Sequence, residues 1–151
     1  MYSIGGCKRL VKVSISLLYL LRRDAIFRNL SSEMPRPAKI LIVDDDPDIR
    51  DSLGEALREE GYEVIQFSGA REALDYLRGG ARIDVILLDL FMPGLDGWDF
   101  RAEQKADPRT AGIPVISLSA GGKLVDVACS LRKPVTLDEI LRAIEGVTLR
   151  L

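Results

Sequence analysis

From residue 38 onward, short apolar runs alternate with longer stretches whose apolar residues recur every three or four positions. The runs are Lys39–Val43, Glu63–Phe67, residues 84–88, residues 113–118 and, more weakly, Cys129–Arg132. Ile40-Leu-Ile-Val43 and Val85-Ile-Leu-Leu88 show no polar alternation, the pattern of strands covered on both faces. Between the first two runs, Ile49, Ser52, Leu53, Ala56 and Leu57 follow helical spacing. Asp46 is placed to cap that helix, with Pro47 at its first position and Gly61 past its end. Ala70, Ala73, Leu74 and Leu77 make a second stripe closed by Gly79-Gly80, and residues 98–106 a third helix stopped by Asp107-Pro108. In the last helix Thr136 and Glu139 form a capping box, Leu137, Ile140, Leu141 and Ile144 share one face, and Gly146 marks the end. Five strands alternating with helices predict an α/β fold, a doubly wound parallel sheet.

One connection breaks the pattern. The first three have 19, 16 and 24 residues, whereas the fourth, residues 120–128, has nine. A parallel crossover usually takes a dozen or more residues and includes a helix, so the fourth helix is expected to be short or absent.

The polar residues collect at one edge. Asp44 and Asp45 follow the first strand, Asp89 ends the third, Ser119 follows the fourth and Lys133 the fifth. Ligands of an open α/β sheet bind outside the carboxyl ends of its strands, so the alternation brings these positions into one crevice. Carboxylates sharing a site repel one another and favour a hard divalent cation such as Mg2+. A carboxylate held there can act as a nucleophile toward phosphorus, with a lysine and a hydroxyl against the oxygens of the transferred group.

Composition narrows the chemistry further. The 151 residues include no histidine, which excludes Ser-His-Asp and Cys-His catalysis and His-ligated metals. Cys7 and Cys129 are far apart, which excludes CxxC chemistry and fits a cytoplasmic setting with reduced thiols. Residues 1–33 carry a net charge of +4 and the remainder −6, so the body offers no basic face for direct nucleic-acid binding. The stretch Val13-Ser-Ile-Ser-Leu-Leu-Tyr-Leu-Leu21 is shorter than the roughly 20 residues that span a bilayer. Residues 1–37 read as an extension, either dispensable and arising from an upstream start (Met34 is a second candidate) or a short helix. Residues 10–23 are its segment with some capacity for membrane contact.

The strings Ile40-Leu-Ile-Val-Asp-Asp-Asp46 and Leu88-Asp-Leu-Phe-Met-Pro-Gly-Leu-Asp-Gly97, with Ser119-Ala120 and Lys133-Pro134, resemble the response-regulator receiver domain across residues 38–147. The resemblance implies the flavodoxin-like strand order 2-1-3-4-5. It makes Asp89 the acceptor of a phosphoryl group from a phosphohistidine on a histidine kinase or phosphotransfer protein. It assigns Mg2+ to Asp44 and Asp45, with Asp45, Asp89 and the backbone carbonyl of Phe91 as direct ligands. Ser119 would hydrogen-bond the aspartyl phosphate, Lys133 would pair with it, and the Lys133-Pro134 bond would be cis. Each position also has a plainer role: Asp46 caps a helix, Ser119 suits a turn, and Trp98 suits packing better than ligand contact.

Two departures bear on read-out. Ser130 stands where receivers usually place an aromatic switch residue, and the fourth crossover is cut short. The expectation is therefore a receiver that accepts phosphate but signals through a modified surface, or that serves as a phosphate relay or sink. With residues 148–151 as a tail, the expected product is a stand-alone phosphoacceptor, not an enzyme, acting on a downstream protein. The alternative is a receiver-like adaptor without phosphotransfer. A haloacid-dehalogenase-type phosphatase fits less well, because Asp48 stands where that family expects Thr or Val and no cap module is evident.

Overall fold

The computed structural model describes residues 36–149. Nearly all of the N-terminal extension, including the stretch at 10–23, lies outside the described residues, as do residues 150 and 151. Among the described residues no helix is long and apolar enough to cross a membrane.

The elements follow in the order β1 (Lys39–Val43), α1 (Pro47–Glu59), β2 (Glu63–Phe67), α2 (Ala70–Arg78), β3 (Val85–Asp89), α3 (Gly97–Ala106), β4 (Val115–Ser119), β5 (Cys129–Arg132) and α4 (Leu137–Thr148). The five strands are parallel, in the order β2-β1-β3-β4-β5. Every residue of β3 and β4 is buried, as expected of central strands covered on both faces, including Asp89, Ser117 and Ser119. Pleating divides these side chains between two faces. Leu41, Val43, Ile86 and Leu88 join Ala73, Leu74 and Leu77 of α2, Phe100 of α3 and Leu124 in one cluster. Reversal of strand order beside β1 leaves the carboxyl ends of β1 and β3 as the crevice.

Helix boundaries obey the local chemistry. Asp46 caps α1 by accepting from the N–H groups of Asp48 and Ile49, and Pro47 opens the helix. Asp96 caps α3 in the same way, and Thr136 and Glu139 make the expected capping box on α4. Gly146 does not end that helix, which runs on to Thr148 before its cap at Leu149. Helix propensity lost at one exposed glycine is outweighed by the buried face of Ile140, Leu141 and Ile144.

Residues 120–128 contain no helix. They form a strap fixed to α3: the Trp98 indole N–H donates to the Lys123 carbonyl at 3.3 Å, and the Arg101 guanidinium donates twice to the Asp126 carbonyl. Lys105 pairs with the Asp126 carboxylate, and Leu124 is buried. Leu124, with Val127 packed against the same core, and three polar clasps thus stand where a helix would otherwise cover the sheet. Gly122 sits at φ +79° under the Trp98 ring, where an added Cβ would lie 3.1 Å from the indole. Trp98 therefore packs, as its sequence context suggested.

Candidate functional site

The ends of β1, β3 and β5 bring Asp44, Asp45, Asp89 and Lys133 together, while the Ser119 hydroxyl at the end of β4 is turned to Gly121. Asp44 follows β1 and is 1% exposed, while Asp89 is the last residue of β3 and 6% exposed. Lys133 follows β5, and its ammonium lies 3.2 Å from Asp44 Oδ2 and 3.2 Å from Asp89 Oδ1. Two buried carboxylates left to themselves would be costly, and a shared lysine offsets part of that cost. Asp44 Oδ1 also accepts the Asp46 N–H at 2.9 Å. The Lys133–Pro134 peptide is cis.

Electrostatics at the site are uneven. Burial pushes the Asp89 carboxyl up, and the neighbouring Asp44 charge adds to this. The charge and hydrogen bond of Lys133 and the Phe91 N–H oppose it without cancelling it. For Lys133, burial works to lower the ammonium but is outweighed by Asp44 and Asp89, so its pKa is raised.

Asp44, Asp45 and Asp89 each offer one oxygen, and the three lie within 4.8 Å of one another. Three hard oxygen donors and no nitrogen or sulfur suit Mg2+ or Ca2+ better than a softer metal. Phe91, two residues beyond Asp89, has an exposed ring stacked edge-on against Trp98 at 5.4 Å between centroids.

Ser119 ends β4, and its backbone carbonyl accepts the Lys133 N–H at 2.8 Å. Its hydroxyl is engaged within the strap: it donates to the Gly121 carbonyl and accepts the Gly121 N–H at 3.0 Å. The turn role available to a strand-end serine is the one occupied here. Ser130 is exposed on the edge strand, with its hydroxyl 2.7 Å from that of buried Ser117. An apolar groove of about 810 Å³ opens beside Lys133 between α1 and α4, lined by Ile49, Leu53, Ala56, Pro134, Leu137 and Ile140. The stripe read on α1 is thus only partly covered, with Leu57 buried and Ile49 exposed.

Two contributors escape a reading by residue type. Gly97 lies against the site backbone, where a Cβ would come within 2.7 Å of Leu90 Cα and 2.8 Å of the Asp89 carbonyl oxygen. Only glycine admits that approach, so the turn Met92–Gly97 does more than reverse the chain. Arg50 reaches from α1 to the Asp44 carbonyl at 2.8 Å. The nearest sequence signals were the glycine closing the turn and an arginine one turn into a helix that follows an acidic run.

Residues 40–145 match the family described as the response regulator receiver domain. The transcriptional regulatory protein GlrR of Escherichia coli (strain K12) is 37% identical over 119 residues, covering 73% of this chain and 26% of that protein. The DNA-binding dual master transcriptional regulator RpaA of Synechocystis is 35% identical over 130 residues, covering 78% of this chain and 50% of that protein. This chain spans a quarter to a half of the length of these two relatives. Among solved structures, the Vibrio cholerae chemotaxis protein CheY4 superposes with a TM-score of 0.67 at 30% identity, over 74% of this chain and 98% of that one.

Proposed function

This chain belongs to the response regulator receiver domain family, and on that premise we propose that Asp89 accepts a phosphoryl group from a phosphohistidine. The observation that carries the reading is the placement of one ammonium, Lys133, between the Asp44 and Asp89 carboxylates at 3.2 Å from each. An Asp89 oxygen attacks phosphorus. The O–P bond forms as the P–N bond breaks, and the imidazole nitrogen leaves with the electron pair of that bond. Since this chain has no histidine, the imidazole belongs to a histidine kinase or phosphotransfer protein. The groove beside Lys133 gives such a partner apolar surface next to the acceptor.

Burial makes Asp89 more basic than a solvated aspartate, which favours it as the nucleophile. Lys133 neutralises the carboxylate before transfer and pairs with a phosphoryl oxygen after it. The Ser119 hydroxyl has one proton, now given to Gly121. A charged phosphoryl oxygen is the stronger acceptor and draws it away. Asp44, Asp45, Asp89 and the Phe91 carbonyl would hold Mg2+, which when bound supplies positive charge against the phosphoryl oxygens. The chemistry is self-catalysed transfer and hydrolysis at one aspartate rather than turnover of a separate substrate.

Read-out runs through protein contacts, or the phosphoprotein serves as a phosphate sink. Both fit Ser130 tied to Ser117 at β5 and a helix-free strap clasped by α3. A cytoplasmic setting fits a free cysteine at Cys129, and the net acidic body fits partners other than nucleic acid.

Labelled acetyl phosphate tests the reading on the full chain. Mg2+-dependent label on wild type, absent from Asp89→Asn, is the expected result. No label on wild type would leave the adaptor without phosphotransfer as the better account.

A further inference from the structure

The three carboxylates of the site are held unequally. Asp44 is fixed on every side: its N–H donates to the Phe67 carbonyl at 3.2 Å, and its carboxylate takes the Asp46 N–H and the Lys133 ammonium. Asp89 is buried and paired with Lys133. Asp45 is exposed, and its carboxylate has no hydrogen-bond or ion-pair partner among the described residues. Its direction is therefore set by the backbone, above all by the peptide that joins it to Asp44.

That peptide is held by its oxygen. Arg50 Nη1 donates to the Asp44 carbonyl at 2.8 Å, and because the peptide unit is planar, fixing that oxygen fixes the plane from which Asp45 departs. Arg50 is itself anchored. Its N–H donates to the Asp46 carbonyl at 3.0 Å, its carbonyl accepts from Gln66 Nε2 at 2.6 Å, and its side chain is largely buried. Gln66 lies against Gly54, where an added Cβ would fall 2.1 Å from Gln66 Nε2. An arginine, a glutamine and a glycine without side chain thus form one connected support behind the acidic loop.

We propose that Arg50 is a positioning residue for the cation site: acting through the Asp44 carbonyl, its guanidinium aims the Asp45 carboxylate at the oxygens of Asp44 and Asp89. The proposal rests on the reading of that cluster as a divalent-cation site.

Electrostatics alone predicts the opposite sign. A permanent positive charge beside a cation site repels the cation, and among the described residues Arg50 makes only one ion pair, a loose 4.0 Å contact with Asp51. Removing Arg50 should then tighten Mg2+ binding if charge dominates and weaken it if positioning dominates.

Calorimetric titration of the full chain with Mg2+, without phosphodonor, reads the difference, with Mn2+ paramagnetic resonance as a second measure. Arg50→Met is expected to weaken Mg2+ binding about tenfold, the usual effect of losing a residue that orients a metal ligand. Arg50→Lys, which keeps the charge and one donor, should recover part of that loss. Gly54→Ala changes no charge but pushes Gln66 off the Arg50 carbonyl, and should weaken binding in the same direction. Leu57→Ala, a core truncation on the same helix, is the structural control: it lowers the unfolding midpoint and leaves Mg2+ affinity unchanged. Unchanged or tighter binding in Arg50→Met overturns the proposal, as does an equal loss in Leu57→Ala. A wild type that takes up no Mg2+ overturns the cation reading itself, and the positioning role with it.

Discussion

Asp89 carries a charge where charge is costly, and that cost is measurable. Burial, assisted by Asp44, raises its pKa above the unfolded value. The stability this group contributes is therefore fully present below the unfolded pKa and is lost as pH rises through the folded one. Without Mg2+, Asp89→Asn should unfold at higher urea than wild type at pH 7, and the advantage should shrink as the pH is lowered and Asp89 protonates. Lys133 has the opposite part: Lys133→Met leaves two buried carboxylates without their shared cation, and the rate of labelling by acetyl phosphate should fall by about 10²–10³. Asp44, Asp45, Asp89 and Lys133 were legible in the sequence because charged residues directly after apolar strands have few structural reasons to be there. Arg50 and Gly97 were not legible as site residues. Both act on backbone atoms, through the Asp44 carbonyl and the Asp89–Leu90 main chain, and a turn glycine or a helix arginine does not by itself show which main chain it meets.

Among the elements, the strap at residues 120–128 departs furthest from the rest. Its nine residues made a missing helix readable from length alone, but what replaces the helix was not readable. Leu124 fills the core in its place, so Leu124→Ala should cost about 2–5 kcal/mol in chemical denaturation, whereas Val125→Ser, at 76% exposure, should stay within about 0.5 kcal/mol. Because the strap is clasped to α3 and Ser130 is bonded to Ser117, a phosphoryl mimic at Asp89 should shift NMR signals of residues 119–126 and Trp98 more than those of β5 and α4. Large shifts confined to β5 and α4 would instead restore the read-out of an aromatic-switch receiver. The capping box of α4 was legible in full, and Thr136→Ala should lower stability by about 1 kcal/mol. The end of the same helix was misplaced at Gly146, because tertiary burial of its apolar face carries the helix past a weak residue.

For the molecule as a whole, the acidic cluster and the sheet are one cooperative structure, since its three carboxylates come from the ends of β1 and β3. Mg2+ at ten times its dissociation constant should raise the stability of the full chain by about 1.4 kcal/mol, and Asp45→Asn should abolish most of that gain in thermal unfolding. The alternation of fully apolar runs with helical stripes determined the class of fold, the number of strands and the edge at which the acidic and basic residues would meet. It could do so because strands buried on both faces and helices buried on one leave different periods in a sequence. The tertiary structure alone decided that one ammonium stands equally close to two carboxylates, that α1 leaves a groove open beside it, that the Ser119 hydroxyl is engaged with Gly121, and that Arg50 stands behind the acidic loop. These are relations between residues far apart in the chain or between side chain and main chain, and they come into being only when the strands are laid side by side.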